Sequence, residues 1–212
     1  MVISECFSEA NKRGHPATRF GAAPGHLCVL LSTPSSMPTS SLSAEPSEPA
    51  TRLLSAWEHA RPVGATPVSP ALRVAFVALV AEAIAGEHDI NLDSADVRAV
   101  LAGATGLAVG RAGGSGPGRA QRALADAWDR LQAVDFRPVT EGQILLSIRS
   151  REEHELGMDE LTLVAEALQQ ATGPAWETIF GHGVVPNQME EICIGFLLAP
   201  RGAADEIARH KT

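Results

Sequence analysis

Between Ala71 and Ala85 the chain is apolar at nearly every position, and Arg73 and Glu82 are the only charges in the run. A helix with one polar side can rest on a protein surface, whereas one with no polar face has to be covered all round. Gly86 suits the C-cap that ends it, and the length fits a core helix, well short of the roughly 20 residues that cross a bilayer. Whatever this chain folds into must pack other elements around this helix.

Beyond this helix the elements alternate in type. Ser94 to Leu101 reads as a short helix, and Gly106 to Val109 as a short strand running into a glycine loop. Ala120, Ala123, Leu124, Ala127, Trp128 and Leu131 recur at the spacing of an amphipathic helix, with Arg119, Gln121, Arg122, Asp126, Asp129 and Arg130 assigned to its wet face. Gln143 to Arg149 reads as a strand. Leu161, Val164, Ala165 and Leu168 mark a second amphipathic helix, with Asp159 and Glu160 at its positive end and Gly173-Pro174 as its stop. Strands over Glu177 to Gly181 and Ile192 to Leu198, separated by a Pro-Asn turn, complete the order. This implies an α+β fold: a two-layer sandwich in which a four-stranded mixed sheet carries helices on one face, preceded by the buried-type apolar helix.

The segment from Met1 to about Pro70 is broken by prolines, serines and glycines, most densely from Ser32 to Pro49. Such a composition buries too little apolar surface to offset its ordering entropy, so it is expected to be largely disordered. Two pieces are expected to order locally: Leu27 to Leu31 as a strand, and Thr51 to Ala60 as a helical turn or two around Leu54 and Trp57. Met37 is an alternative start. The expected organisation is an arm over 1–70, a helix over 71–90, an α+β domain over 91–200 and a tail over 201–212.

A net charge of −8 over 212 residues gives no general attraction to nucleic acid or anionic lipid. Cys6, Cys28 and Cys193 fit neither a disulfide framework nor a Cys-x-x-Cys site, which points to a reducing, cytoplasmic setting. The histidines form no metal-binding spacing, and Glu152-Glu153-His154 reads as a solvated loop, so no metal is expected. No membrane span or signal peptide is expected either.

The stretch Asn91-Leu92-Asp93-Ser94-Ala95-Asp96-Val97-Arg98 resembles the synergy loop of the FtsZ family of tubulin-like GTPases. The match continues in register through Gly110, Ser115, Gly116, Arg119 and Ala120, and the similarity extends from Ala71 to about Pro200. The resemblance implies the family's C-terminal domain preceded by the end of its central helix. About ninety residues precede the motif, half of what a family GTPase domain needs, so this chain is expected to carry that domain without the GTPase half. Ser94 stands where the family has Phe, His88-Asp89-Ile90 replaces a Pro-Gly approach, and Arg209-His210-Lys211-Thr212 does not match the family's tether-binding peptide. Ala112 to Gly118 echoes a phosphate loop, yet it comes after the synergy motif instead of preceding the central helix, and no Gly-Lys-Ser/Thr pattern occurs. No cofactor is therefore expected on this chain alone, with GTP placed at a partner interface.

Asp93 and Asp96 carry two readings. Three residues apart on a helix's first turn, they can orient a water or hold a cation beside a phosphate, and the resemblance implies that they act in trans on a neighbour's GTP. They can equally serve as N-cap and third-position acid, a pattern worth about 1 kcal/mol. The expected interface comprises Asn91, Asp93, Asp96, Arg98, Phe76 and Leu79, the last two in an apolar face with Val74, Val77 and Val80 that a missing half would leave open. Trp128 is placed in the core, Trp57 and Trp176 at partly exposed or partner-facing positions, and Arg98 and Arg119 at the surface. Two functions are consistent with these residues. The chain binds the nucleotide face of an FtsZ-type GTPase and modulates its polymerisation or hydrolysis, or it self-associates through the apolar helix as a structural module.

Overall fold

The computed structural model describes residues 48–84, 89–136 and 139–201. The expected strand over 27–31, the Gly86 cap and all but the first residue of the tail lie outside them. The elements in chain order are α1 (Glu48–Ala60), α2 (Pro70–Ile84), α3 (Ser94–Leu101), β1 (Leu107–Gly114), α4 (Arg119–Asp129), β2 (Gln132–Val134), β3 (Gly142–Arg151), α5 (Met158–Thr172), β4 (Trp176–Val185) and β5 (Ile192–Pro200).

The strands form one mixed sheet in the order β2-β1-β5-β3-β4, with β3 and β4 parallel and the other pairs antiparallel. The α+β class and the mixed sheet are as expected, but there are five strands and not four. The addition is β2, three residues that pair with Leu107 to Val109 at the sheet's edge and are too short to show a period of their own. β1 runs through Ala112, Gly113 and Gly114, which the sequence assigns to a loop, because they pair with Ile194, Cys193 and Ile192 of β5.

Alternation along the strands splits the core in two. Ile144, Leu146, Ile148, Ile192, Ile194, Phe196 and Leu198 point to α4 and α5, where they meet Ala123, Leu124, Val164 and Leu168. Leu107, Val109, Leu145, Leu197 and Ala199 point the other way, to α1, α2 and α3. Trp128 packs on the first of these clusters and its ring lies 4.8 Å from that of Phe196. Trp57 and Trp176 are both buried, in contrast to the exposure expected of them. Each indole N–H reaches a backbone carbonyl inside the fold, Trp57 that of Ala104 and Trp176 that of Val139, so neither ring needs a partner.

α2 meets the demand set by its sequence. Leu72, Phe76, Leu79, Val80 and Ala83 are all buried, and Leu79 sits directly on Gly195, where a Cβ would collide with it. Further along, the Glu82 carboxylate clamps Arg111 of β1 at 2.8 and 3.0 Å and Arg149 of β3 at 2.9 Å. The outer side of α2 is covered by α1, whose Ala50, Leu53, Leu54 and Trp57 are buried in the same cluster. The helix expected over 51–60 is thus a full element, 48–60, inside the core. Arg73 pairs with Glu58 at 2.7 Å, and Arg61 lies 4.7 Å over the Trp57 ring. The turn between α1 and α2 is tied to the end of β2 by Asp135, which accepts from Thr66 Oγ1 at 2.6 Å and from Arg61. The Thr66 hydrogen bond holds the Asp135 carboxyl below its ordinary value.

Burying a leucine or phenylalanine contributes roughly 1.5–3 kcal/mol, so α1 is an integral part of the stability of α2. Leu54→Ala is expected to lower the unfolding free energy by about 3 kcal/mol in urea denaturation and to promote association in light scattering as the α2 face opens. A loss under about 1 kcal/mol would show that α1 is not part of the cooperative unit.

Candidate functional site

The loop from Asp89 to Asp93 is stitched to the outer edge of β4. Ile90 and His182 exchange both backbone hydrogen bonds at 3.1 Å, forming a single antiparallel bridge beyond the last strand of the sheet. Leu92 then turns inward and is buried against Gly181, where any side chain would displace it. These contacts fix the height at which α3 begins.

At that start, Asp93 is the N-cap, in extended backbone conformation. Its Oδ1 accepts from the backbone N–H of Ala95 at 2.5 Å and of Asp96 at 3.0 Å, and Asp96 Oδ2 accepts from the Asp93 N–H at 2.8 Å. The capping reading of Asp-x-x-Asp is therefore realised as a reciprocal box. The box uses one oxygen of each carboxylate, and Asp93 is exposed to solvent with Asp96 half-buried beside it. Asn91 and Arg98 are exposed as well, and Arg98 donates to Ser94 Oγ at 3.3 Å. Asn91, Asp93, Asp96 and Arg98 thus share one short stretch of surface. Phe76 and Leu79 do not join them: both are buried, Leu79 against Gly195 of the sheet, while Val74 (70% exposed) stays outside.

Sequence reasoning missed the groups that back this loop. His182 of β4 places Nδ1 3.3 Å from the Asp89 carboxylate and Nε2 3.0 Å from Ser150 Oγ. The order Asp, His, Ser is that of a hydrolytic relay, but Ser150 is 0% exposed and closed to a substrate. The arrangement anchors the approach to the Asn91–Arg98 stretch. Beside it, Ile90 (46% exposed) and Met158 (75% exposed) border a hollow of about 130 Å³ that Leu161 and Phe180 also line. These side chains form a small apolar shoulder at the β4 edge. The exposed Ile and Met at the two ends of this shoulder are legible in the sequence only once β4 is known to be an edge strand.

The glycine loop is occupied by its own chain. The Gly116 N–H donates to Glu191 Oε2 at 2.8 Å, and Ser115 Oγ donates to Glu190 Oε2 at 2.9 Å while accepting from the Glu191 N–H. The Gly116 hydrogen bond holds the Glu191 carboxyl below its ordinary value. A carboxylate thus stands where a phosphate would have to bind in that turn.

Arg119, expected at the surface, is 8% exposed. It grips Glu160 with two parallel hydrogen bonds of 2.8 Å and donates to the carbonyls of His154 and Glu155 at 3.0 and 2.8 Å, locking α4 to the start of α5. The signal is present in the spacing: Arg119 lies four residues before Ala123 and eight before Ala127, both on the apolar stripe.

No family model matches the sequence, and no curated protein matches it. Solved structures do. An empty FtsZ dimer from M. jannaschii is 22% identical, with 71% of this chain and 43% of that chain covered at a TM-score of 0.48. CetZ from Methanosaeta thermophila is 17% identical over 66% of this chain and 38% of its own, at 0.43. A GTPγS-form protofilament of TubZ from Bacillus thuringiensis serovar israelensis is 13% identical over the same shares, at 0.41. The structures to which this chain is similar are those of the tubulin/FtsZ family, as the resemblance of Asn91 to Arg98 implies, and the likeness is one of fold. This chain spans about two fifths of the length of each.

The Arg119 hydrogen bonds hold the Glu160 carboxyl below its ordinary 4.5. A lowered carboxyl adds stability that is complete above its unfolded-state value and is lost as pH falls through the folded-state value. Glu160→Gln is expected to cost about 2 kcal/mol at pH 7. The gap to the parent protein should close as pH drops below 4.5 in urea titrations. A gap independent of pH would show that the ion pair is not what the substitution removes.

Proposed function

We propose that this chain docks its Asn91–Arg98 surface on the nucleotide face of an FtsZ-type GTPase and modulates the partner's polymerisation or hydrolysis in trans. The observation that carries the reading is the placement of the acidic pair. Asp93 and Asp96 lie on a capped turn at the surface that Leu92 and the Ile90–His182 bridge hold to the sheet edge, with the exposed Ile90 three residues before Asp93. An acidic turn preceded by an exposed apolar side chain is what a protein partner with a bound phosphate and cation would meet.

The capping box does not compete with this role. It consumes one oxygen per carboxylate and fixes the direction of the other, so the same bonds that end the helix orient the charge. In the neighbour's site, such oxygens would position a water or a cation near the terminal phosphate. Self-association through α2 is the weaker reading, because Phe76 and Leu79 are already buried within the chain.

The test separates charge from cap. Asp93→Asn and Asp96→Asn retain an acceptor at each position, so stability should change by less than about 1 kcal/mol. Mixed with an FtsZ-type GTPase and GTP, the parent chain is expected to alter sedimentable polymer at substoichiometric amounts, and the double variant to abolish any rise in phosphate release. No change in polymer at equimolar amounts would sink the proposal. A rise in release that survives both substitutions would confine the chain to binding.

A further inference from the structure

β4 ends the sheet, and among the described residues its outer edge is paired at His182 alone, which exchanges both backbone hydrogen bonds with Ile90. In an extended strand the N–H and C=O of one residue point the same way and switch sides at the next. Thr178 and Phe180 therefore turn these groups outward as His182 does, while Glu177 and Ile179 turn theirs to β3. Among the described residues no backbone group meets the outward pairs of Thr178 and Phe180. The Trp176 carbonyl faces out as well, whereas its N–H is bonded to the Gly173 carbonyl at 3.3 Å. Proline, lysine or a bulge commonly blunts such an edge. The run Trp176-Glu177-Thr178-Ile179-Phe180 has neither residue and pairs with β3 without a bulge. Thr178 is exposed, and the one charge, Glu177, is engaged by Gln143 of β3 at 3.0 Å. The opposite edge, β2, is only three residues long, so the sheet offers one long edge.

We infer that this edge pairs with a second copy of the chain, β4 against β4, antiparallel about a two-fold axis at Thr178. Ile90 selects the partner. It fills the place opposite His182, so an incoming strand has to leave the edge just beyond Phe180. β4 meets that condition. With Thr178 opposite Thr178, Phe180 lies opposite Trp176 of the copy, and the place opposite His182 would fall to Pro174, which belongs to the turn before the strand. In this register the two Thr178 residues exchange both hydrogen bonds, and each Phe180 N–H reaches the Trp176 carbonyl of the other molecule. Every outward N–H left over by the single chain then has an acceptor. The side chains agree with the same register. Threonine faces threonine, and Glu177 lies opposite Ile179 instead of a second Glu177, where like charges would repel. A two-fold pairing is closed, so association stops at the dimer. It pairs neither α2 nor the Asn91–Arg98 turn, and it stands independently of docking on a GTPase.

The experiment uses the full chain without any GTPase, so its outcome does not depend on the proposed function. Sedimentation equilibrium from about 5 to about 500 µM is expected to show a reversible monomer–dimer equilibrium, weak because the interface is as narrow as one strand edge. Amide hydrogen exchange followed by NMR should slow at Thr178 and Phe180 as concentration rises, and stay unchanged at Val74 of α2. Thr178→Pro removes an N–H that faces away from β3, so β4 keeps its own ladder while the dimer weakens at least about tenfold. Thr178→Lys leaves the backbone as it is and sets like charges face to face, so it should weaken the dimer as much, with partial recovery as salt rises. Thr178→Val should leave the dimer intact. The inference is overturned if the chain is monomeric across the range, if dimers form without slowing exchange at Thr178 and Phe180, or if the dimer survives both Thr178→Pro and Thr178→Lys.

Discussion

An all-apolar helix needs cover on every side, and α2 imposes that condition on the rest of the structure. One side is met by the sheet, through the close approach of Leu79 to Gly195 and the Glu82 clamp on Arg111 and Arg149. The other side is met by α1, drawn from the stretch whose composition reads as low-complexity. With Phe76, Leu72 and Val80 each worth roughly 1.5–3 kcal/mol when buried, the gain outweighs the entropy of ordering the helix only because α1 brings Leu53, Leu54 and Trp57 with it.

The site depends on the same scaffold by way of the sheet's outer edge. β4 is the terminal strand, and its unpaired edge takes up Ile90 as a one-residue extension. Glycine at 181 makes room for Leu92, and His182 ties Asp89 to Ser150. The acidic pair is held from below by packing and from within by its own capping box. Neither contact uses the outward oxygens, which is why structural and functional readings of Asp93 and Asp96 coexist.

Much of this fold is legible in the sequence, and the exceptions have physical causes. Helix α3 has the bounds its sequence predicts, because its cap, its period and its apolar residues agree. Continuous apolarity finds α2, helical periodicity finds α4 and α5, and apolar runs find β3, β4 and β5. β2 escapes because three residues cannot display alternation, and Ala112 to Gly114 reads as loop because glycine propensity outweighs a pairing with β5 that lies far away in sequence. Arg119 is placed at the surface by residue type, although its helical position puts it on the buried stripe; a guanidinium goes inside when Glu160 and two carbonyls satisfy it. The open face expected around Phe76 and Leu79 is closed for a different reason: the expectation presumes an absent cover, and the chain buries both side chains itself.

The glycine loop shows where a nucleotide would have to be held. Its resemblance to a phosphate loop is not only superficial, because the Gly116 N–H does bind an anion; the anion is the carboxylate of Glu191. That carboxylate is itself close to Arg119, Arg151 and His154, so displacing it would unpair several charges at once. The turn is thereby committed to fastening β5 to the start of α4.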